Sequence, residues 1–314
     1  MPSPSIDIAQ HIKSQARSLG FDACGFAAAQ PVDDEVVARY DRWIELGHNG
    51  CMQWAAGHRD LRRDPSLLLD GARTVISLAL NYYPSRFQPQ EALQVAYYAY
   101  GRDYHEVLRE KLTALARFIE ESTQCTTRPC VDSAPVRERY WAQRAGIGFI
   151  GRNNCLILPG KGSYYFLGEI LTTAQLPPDG PCTLTCGDCG KCLEACPTGA
   201  LGEEGAADAS RCLSCLLIEN HSEELPDWVP DVVGDRIVGC DECQRCCPHN
   251  AHAQATTVED FSPTPAVMTL TRDRIQAMTA GEFKRTFAHS AISRLRYKTL
   301  RRNADLKGPK KQKD

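Results

Sequence analysis

Apolar residues return every three to four positions over residues 6–19, the repeat of an amphipathic helix. A short strand is expected over 21–26, and Pro31 then breaks the chain. The helical period resumes over 36–46, with Gly47 placed to cap it. Residues 74–80 differ: apolar positions run nearly unbroken over a strand's length, as in a central strand covered on both faces. A long helix over 104–122 carries Val107, Leu108, Leu112, Leu115 and Ile119 on one stripe. Strands are expected over 126–131, 156–158 and 164–172, and a helix over 135–145. Pro177, Pro178, Gly180 and Pro181 punctuate a linker, and Pro263 and Pro265 precede a helical, basic end. The pattern predicts an α+β chain: a sheet-and-helix half, a cysteine-rich segment to about His252, then a short helical piece.

The cysteine segment sharpens this picture. Cys186, Cys189, Cys192 and Cys196-Pro197 form C-x2-C-x2-C-x3-C-P, the bacterial ferredoxin run for a [4Fe–4S] cluster. Three thiolates on one loop hold three corners of an iron–sulfur cube, while the one before proline serves a second cube. A second run, Cys240, Cys243 and Cys247-Pro248, aligns on Cys189, Cys192 and Cys196-Pro197. Ile237 stands where its first cysteine belongs. Cys212 is the best substitute, although Cys215 is close and competes. The expected sets are Cys186, Cys189, Cys192 and Cys247 on one cluster, and Cys196, Cys212, Cys240 and Cys243 on the other. A zinc ribbon also uses C-x2-C pairs, but needs only four thiolates and explains neither Cys-Pro corner.

Composition adds bounds. The 314 residues are 43% hydrophobic and 24% charged, ordinary for a globular chain of one or two domains. The remaining eight of 16 cysteines, including Cys51, Cys155 and Cys246, are scattered like small buried residues and suggest no secreted disulfide framework. Reduced cluster ligands and the absence of a basic-then-apolar leader over residues 1–6 point to the cytoplasm. The longest apolar run, about 75–80, is too short to span a bilayer. Net charge is −3, yet residues 284–313 carry eleven Lys and Arg against the single acid Asp305. A basic end on a mildly acidic chain suits a polyanion, or is simply a solvated tail.

Five further features bear on chemistry. Gly146, Gly148 and Gly151 match G-x-G-x-x-G, but the helix comes before the glycines and the strand after. That is the reverse of a dinucleotide site. Asp132, between a strand and a helix, reads first as a helix cap and second as a general acid at a strand end. Asp103 is placed to cap the long helix, and Asp103-Tyr104-His105 begins like a cobalt-ligating D-x-H-x-x-G motif that fails at Leu108. Tyr97, Tyr98 and Tyr100 read as core before they read as base-stacking rings. His249 is expected in a cluster's surroundings.

Taken together, the strings Gly101-Arg-Asp-Tyr-His105, Val131-Asp-Ser-Ala-Pro135, Ala145-Gly-Ile-Gly148, Phe166-Leu-Gly-Glu169, the ferredoxin run, Cys212-Leu-Ser214, Gly239-Cys-Asp-Glu-Cys243 and Arg301-Arg-Asn-Ala304 resemble the epoxyqueuosine reductase family along nearly the whole chain. The resemblance implies a cobalamin-binding α/β sandwich-type catalytic domain over 1–175. It also implies a two-cluster bacterial ferredoxin-like domain over 176–260 and a helical basic segment over 261–314 that contacts tRNA. It makes Asp132 the proton donor rather than a cap. It places corrinoid contacts at Asp132, Leu156, Leu167, Ser214, Ile237, Cys240 and Asp241. The activity implied is reductive removal of the epoxide oxygen from epoxyqueuosine in the tRNA anticodon loop, by cobalamin recharged through two [4Fe–4S] clusters. Arg294, Arg296, Arg301 and Arg302 are the expected tRNA contacts. An external donor such as a flavodoxin or ferredoxin would supply electrons to a monomer, with no membrane involved. A cobalamin-dependent reductive dehalogenase is the nearest rival activity, and a non-catalytic iron–sulfur electron-transfer or RNA-binding protein the rival of another class. Many relatives carry Lys at Arg152, Tyr at Cys215 and Trp-Asn at His249-Asn250.

Overall fold

The computed structural model describes residues 4–202 and 206–306. Its strands are β1 (Ala23–Ala28), β2 (Thr74–Asn81), β3 (Gln94–Val95), β4 (Thr127–Cys130), β5 (Phe149–Ile150), β6 (Leu156–Ile157), β7 (Tyr165–Thr172) and β8 (Arg236–Val238). Four of them make the central sheet, in the order β1-β2-β7-β4, with every neighbour antiparallel. All eight residues of β2 are buried, because the strand has partners on both edges and helices on both faces. Ile76, Leu78 and Leu80 face the helices Pro4–Ser18 and Tyr104–Thr123. Val75 and Ala79 face the opposite way, where Trp141 and Ala142 of helix Glu138–Arg144 cover them. The result is a three-layer sandwich whose period-two strands fill two cores. On the long helix Val107, Leu108, Leu112, Leu115 and Ile119 are all buried, each contributing about 2 kcal/mol of apolar transfer.

The first strand starts later than the expected 21–26. Gly20, at φ +91°, turns the chain out of the first helix, and the Phe21 N–H still bonds Ala16 O at 3.0 Å. Phe21 therefore belongs to the helix end, although its ring is buried in the same core. The helix expected from 135 starts at Glu138. The turn before it is closed by Ala134 N–H to Val131 O, and Asp132 is not its cap. The G-x-G-x-x-G stretch forms the β5–β6 hairpin; a Cβ on Gly148 would lie 2.6 Å from Ile157 O, so the glycine permits close packing.

The cysteine segment is built of short helices, Lys191–Ala195, Leu213–Ile218 and Glu242–Arg245, joined by loops. It is not a separate body. β3 pairs in parallel with β8, and a core of Val95, Tyr100, Ile237, Val238 and Leu300 unites three distant stretches. The C-terminal helix Tyr297–Asp305 closes that core. Its Asn303 amide donates to Leu217 O and Ile237 O, both at 2.8 Å.

Candidate active site and cluster centres

Asp132 follows β4, in the left-handed region at φ +32°. A non-glycine residue there is strained and must be held by its surroundings. Its backbone N–H donates to Glu138 Oε1 at 2.9 Å. Its Oδ2 lies 2.7 Å from His105 Nε2 and accepts from the Tyr104 hydroxyl at 3.2 Å. His105 Nδ1 is 2.6 Å from Asp103 Oδ1, and Arg294 Nε donates to Asp103 Oδ2 at 3.2 Å. The first turn of the long helix thus lays out a file, Arg294–Asp103–His105–Asp132. Asp103 also caps that helix, its carboxylate accepting the His105 N–H at 3.0 Å. Tyr104 is fixed from below by stacking on Phe166, centroids 4.3 Å apart.

The electrostatics follow from this geometry. Burial raises the Asp132 carboxyl, but the hydrogen bond and charge of His105, helped by Tyr104 and Arg294, outweigh it and hold the group below its ordinary value. Burial lowers His105, but its bonds to Asp103 and Asp132 win and raise it. Asp103 is brought down to about 2, since His105 and Arg294 overcome its burial. The proton in this file therefore rests on His105, between two carboxylates. His105 is 3% exposed, while the Asp132 side chain is 50% exposed toward an open cavity. Tyr98, Tyr104, His105, Asp132, Glu219 and Arg294 are among its walls, around about 640 Å³ of space continuous with solvent. Tyr98 thus serves both core and cavity, whereas Tyr100 is wholly core.

Of the other expected corrinoid contacts, none forms this cavity's wall. Leu156 and Ile237 are buried in apolar clusters, and Leu167 packs beside Leu156. Ser214 lies on helix Leu213–Ile218, whose end supplies Ile218 to the wall. Asp241 is buried and accepts the Tyr97 N–H at 2.7 Å; burial pushes its carboxyl up to about 6.

The cysteines gather in two places. Cys186, Cys189, Cys192 and Cys247 line one pocket with Asn153, Ile157, Pro248 and His249, around about 260 Å³ partly open to solvent. Arg152 Nη1 donates to Cys189 O at 3.3 Å and steadies the loop. Cys212 lies within electrostatic reach of Cys196, and Cys243 of both Cys212 and Cys240. Burial raises Cys212 and pushes Cys192 and Cys240 up to about 11, so each sheds a proton on binding iron. Among the described residues no three His, Cys, Asp or Glu side chains converge as for a single ion. Sulfurs spread around a pocket suit a cube. Cys215 turns away: its sulfur is 3.5 Å from that of Cys51. Cys155 had looked like a stray buried thiol, yet it lies beside Cys243, which holds its thiol below the ordinary value. No sequence spacing signals that contact, because the loop after β5 supplies it.

The four expected tRNA contacts separate. Arg296 and Arg301 are exposed, the latter over the Tyr297 ring at 5.8 Å. Arg294 is engaged by Asp103 at the cavity. Arg302 is bound inward: its guanidinium donates to Asn220 O at 2.8 Å, Ser222 O at 2.7 Å and Leu216 O at 3.2 Å. Those bonds satisfy carbonyls at the end of helix Leu213–Ile218, leaving little for phosphate. Lys307, Lys310, Lys311 and Lys313 lie outside the described residues.

Residues 62–133 match the family described as Epoxyqueuosine reductase QueG, DUF1730, and residues 185–250 match a 4Fe-4S double cluster binding domain. The epoxyqueuosine reductase of Gloeobacter violaceus is 43% identical over 302 residues, 94% of each chain. That of Cellulophaga algicola is 39% identical over 296 residues, 94% of this chain and 96% of its own. A crystal structure of epoxyqueuosine reductase with an epoxyqueuosine-modified tRNA-Tyr stem loop superposes with a TM-score of 0.87 at 33% identity. The match covers 96% of this chain and 81% of that one. With relatives this similar along almost its full length, a cluster-binding segment and an acid file at one cavity, the chain belongs to the epoxyqueuosine reductase family.

Proposed function

We propose that this protein reduces epoxyqueuosine to queuosine in tRNA, with Asp132 delivering a proton to the epoxide oxygen. The observation that carries this reading is the Asp103–His105–Asp132 file at the mouth of the cavity, in a chain of this family. Opening an epoxide to an alkene consumes two electrons and two protons and releases water. The residues fit both groups the reaction needs: two sets of cysteines, and a cavity between the catalytic sheet and helix Leu213–Ile218. When bound, cobalamin supplies a strong nucleophile and the clusters supply single electrons. Asp132 and the other cavity residues would hold it on the catalytic side, with Ser214 on the helix that supplies Ile218 to the wall.

The chain's own residues handle the proton. Asp103 holds His105 by Nδ1, which leaves Nε2–H aimed at Asp132 Oδ2. Covering the exposed side of Asp132 with a cofactor and a base strips its water and raises its proton affinity. The proton then crosses the 2.7 Å hydrogen bond from His105 Nε2 to Asp132 Oδ2, and passes onward to the opening oxygen. Tyr104 and the Glu138 anchor keep the carboxyl in place.

The remaining reading follows the same lines. Residues 1–175 form the catalytic unit, 176–260 the two-cluster unit and 261–314 the basic segment. Cys186, Cys189, Cys192 and Cys247 hold one cluster, and Cys196, Cys212, Cys240 and Cys243 the other. Arg296 and Arg301 approach the tRNA backbone. The enzyme works as a cytoplasmic monomer fed by a flavodoxin or ferredoxin. Among the described residues no helix is long and apolar enough to cross a membrane. Asp132→Asn should keep the clusters and cobalamin binding but lose turnover of an epoxyqueuosine stem loop by about 100-fold or more. Near-wild-type turnover would refute the role.

A further inference from the structure

Behind Asp132 lies a second group of acids that this reaction does not use. Glu138 opens its helix and accepts the Asp132 N–H. Glu169, on β7, pairs with Cys130, two residues before Asp132, and is fully buried. It shares its face of the sheet with Leu171, which packs under helix Glu138–Arg144. The Ser77 hydroxyl donates to Glu169 Oε1 at 3.4 Å, while Oε2 has no hydrogen-bond partner. A carboxylate so placed, with no cation paired to it among the described residues, is strongly disfavoured against the neutral acid.

The groups facing the two acids are few. Around Glu138 stand Asp132 and His105 across the turn, Arg139 beside it, Glu169 from β7 and Cys130 from β4. Around Glu169 stand Glu138, Cys130 and Ser77. Burial, then the charge of Glu138, lifts Glu169 well above the carboxylate range. Burial, then the charge of Asp132, lifts Glu138 to about 7, against the pull of Arg139 and His105.

We propose that Glu169 is held as a buried neutral acid behind the Asp132 turn, and that Glu138, which faces it, is the positioning residue that holds that turn. The proposal rests on the reading of Asp132 as proton donor. With both acids neutral, Asp132 ionises without a second anion beside it. Its +32° backbone is then pinned at one end by β4 and at the other by Glu138. Once Glu138 loses its proton, a new negative charge stands next to Asp132 and shifts the proton balance with His105.

Three variants of the full chain test this. The protonated-carboxyl infrared band of wild type should persist at pH 8, move in deuterium oxide and vanish in Glu169→Gln. This reading needs no cofactor and no turnover. With the loaded enzyme and stem loop, Glu138→Ala should lower kcat about 10- to 100-fold at every pH with little change in KM. Glu138→Gln keeps the carbonyl anchor and should fall less, while losing the step in the kcat profile near neutrality that wild type shows. The proposal is overturned if no band answers to Glu169→Gln, if Glu138→Ala turns over like wild type, or if Glu138→Gln keeps the neutral step. If Glu138→Ala does not fold, the infrared band and the Glu138→Gln profile decide. Turnover by Asp132→Asn with the band intact would instead sink the proton-donor reading and leave the buried acid standing.

Discussion

His105 is the residue on which the acid file turns. Its stabilising partnership has a defined pH window. Asp132 is depressed, so its contribution is present above the ordinary carboxylate value of 3.8 and fades as pH falls through its lower native value. His105 is raised, so its contribution is complete below the ordinary 6.5 and fades as pH climbs through its higher native value. Both operate between 3.8 and 6.5. His105→Gln should therefore cost stability most in that range, about 1–2 kcal/mol once the exposure of Asp132 is allowed for. Thermal melts at pH 5 and pH 9 check this; a larger loss at pH 9 would contradict the ion pair. The residue scale also shows where sequence reading fails. Asp132 had two roles open to it, and only the fold decides that its carboxyl turns toward His105, 27 positions back, and away from the following helix.

At the scale of elements, the strings that carry the resemblance divide into chemistry and carpentry. Arg301-Arg-Asn-Ala304 looks like part of a basic tail, yet two of its residues are bound inward. Asn303 and Arg302 sew the last helix to helix Leu213–Ile218 and to β8. Arg302→Ala should lower stability by about 2 kcal/mol through unsatisfied carbonyls, while Arg301→Ala leaves the melting temperature within error. Equal melts for the two variants would return Arg302 to the RNA side. Strands with a strong period were legible: β2 and β7 lie where residues 74–80 and 164–172 place them. β3 and β8 were not, since two or three residues carry no period and their pairing spans about 140 positions of chain. The order β1-β2-β7-β4 was equally hidden, because periodicity reports faces but not neighbours.

For the molecule as a whole, cluster loading is the property that one measurement tests most directly. Two clusters of four irons require eight iron atoms per chain. The cysteine spacing made seven ligands plain and left Cys212 and Cys215 in competition for the eighth. The Cys215 sulfur lies 3.5 Å from that of Cys51, while Cys212 lies within electrostatic reach of Cys196, which favours Cys212. Cys212→Ser should lose up to four irons and Cys215→Ser none, by iron analysis of anaerobically prepared protein. Iron loss in Cys215→Ser alone would exchange their roles.

The short β3–β8 ladder has a consequence for how such an enzyme can change over evolutionary time. A segment with a familiar ferredoxin motif looks like a cassette that could be swapped among redox proteins. Here one of its strands finishes a sheet begun before residue 100, and its helix Leu213–Ile218 is nailed down by Arg302 and Asn303. Exchanging the cassette would uncover backbone and core in both remaining parts. The electron store and the chemistry it feeds are therefore inherited together or not at all.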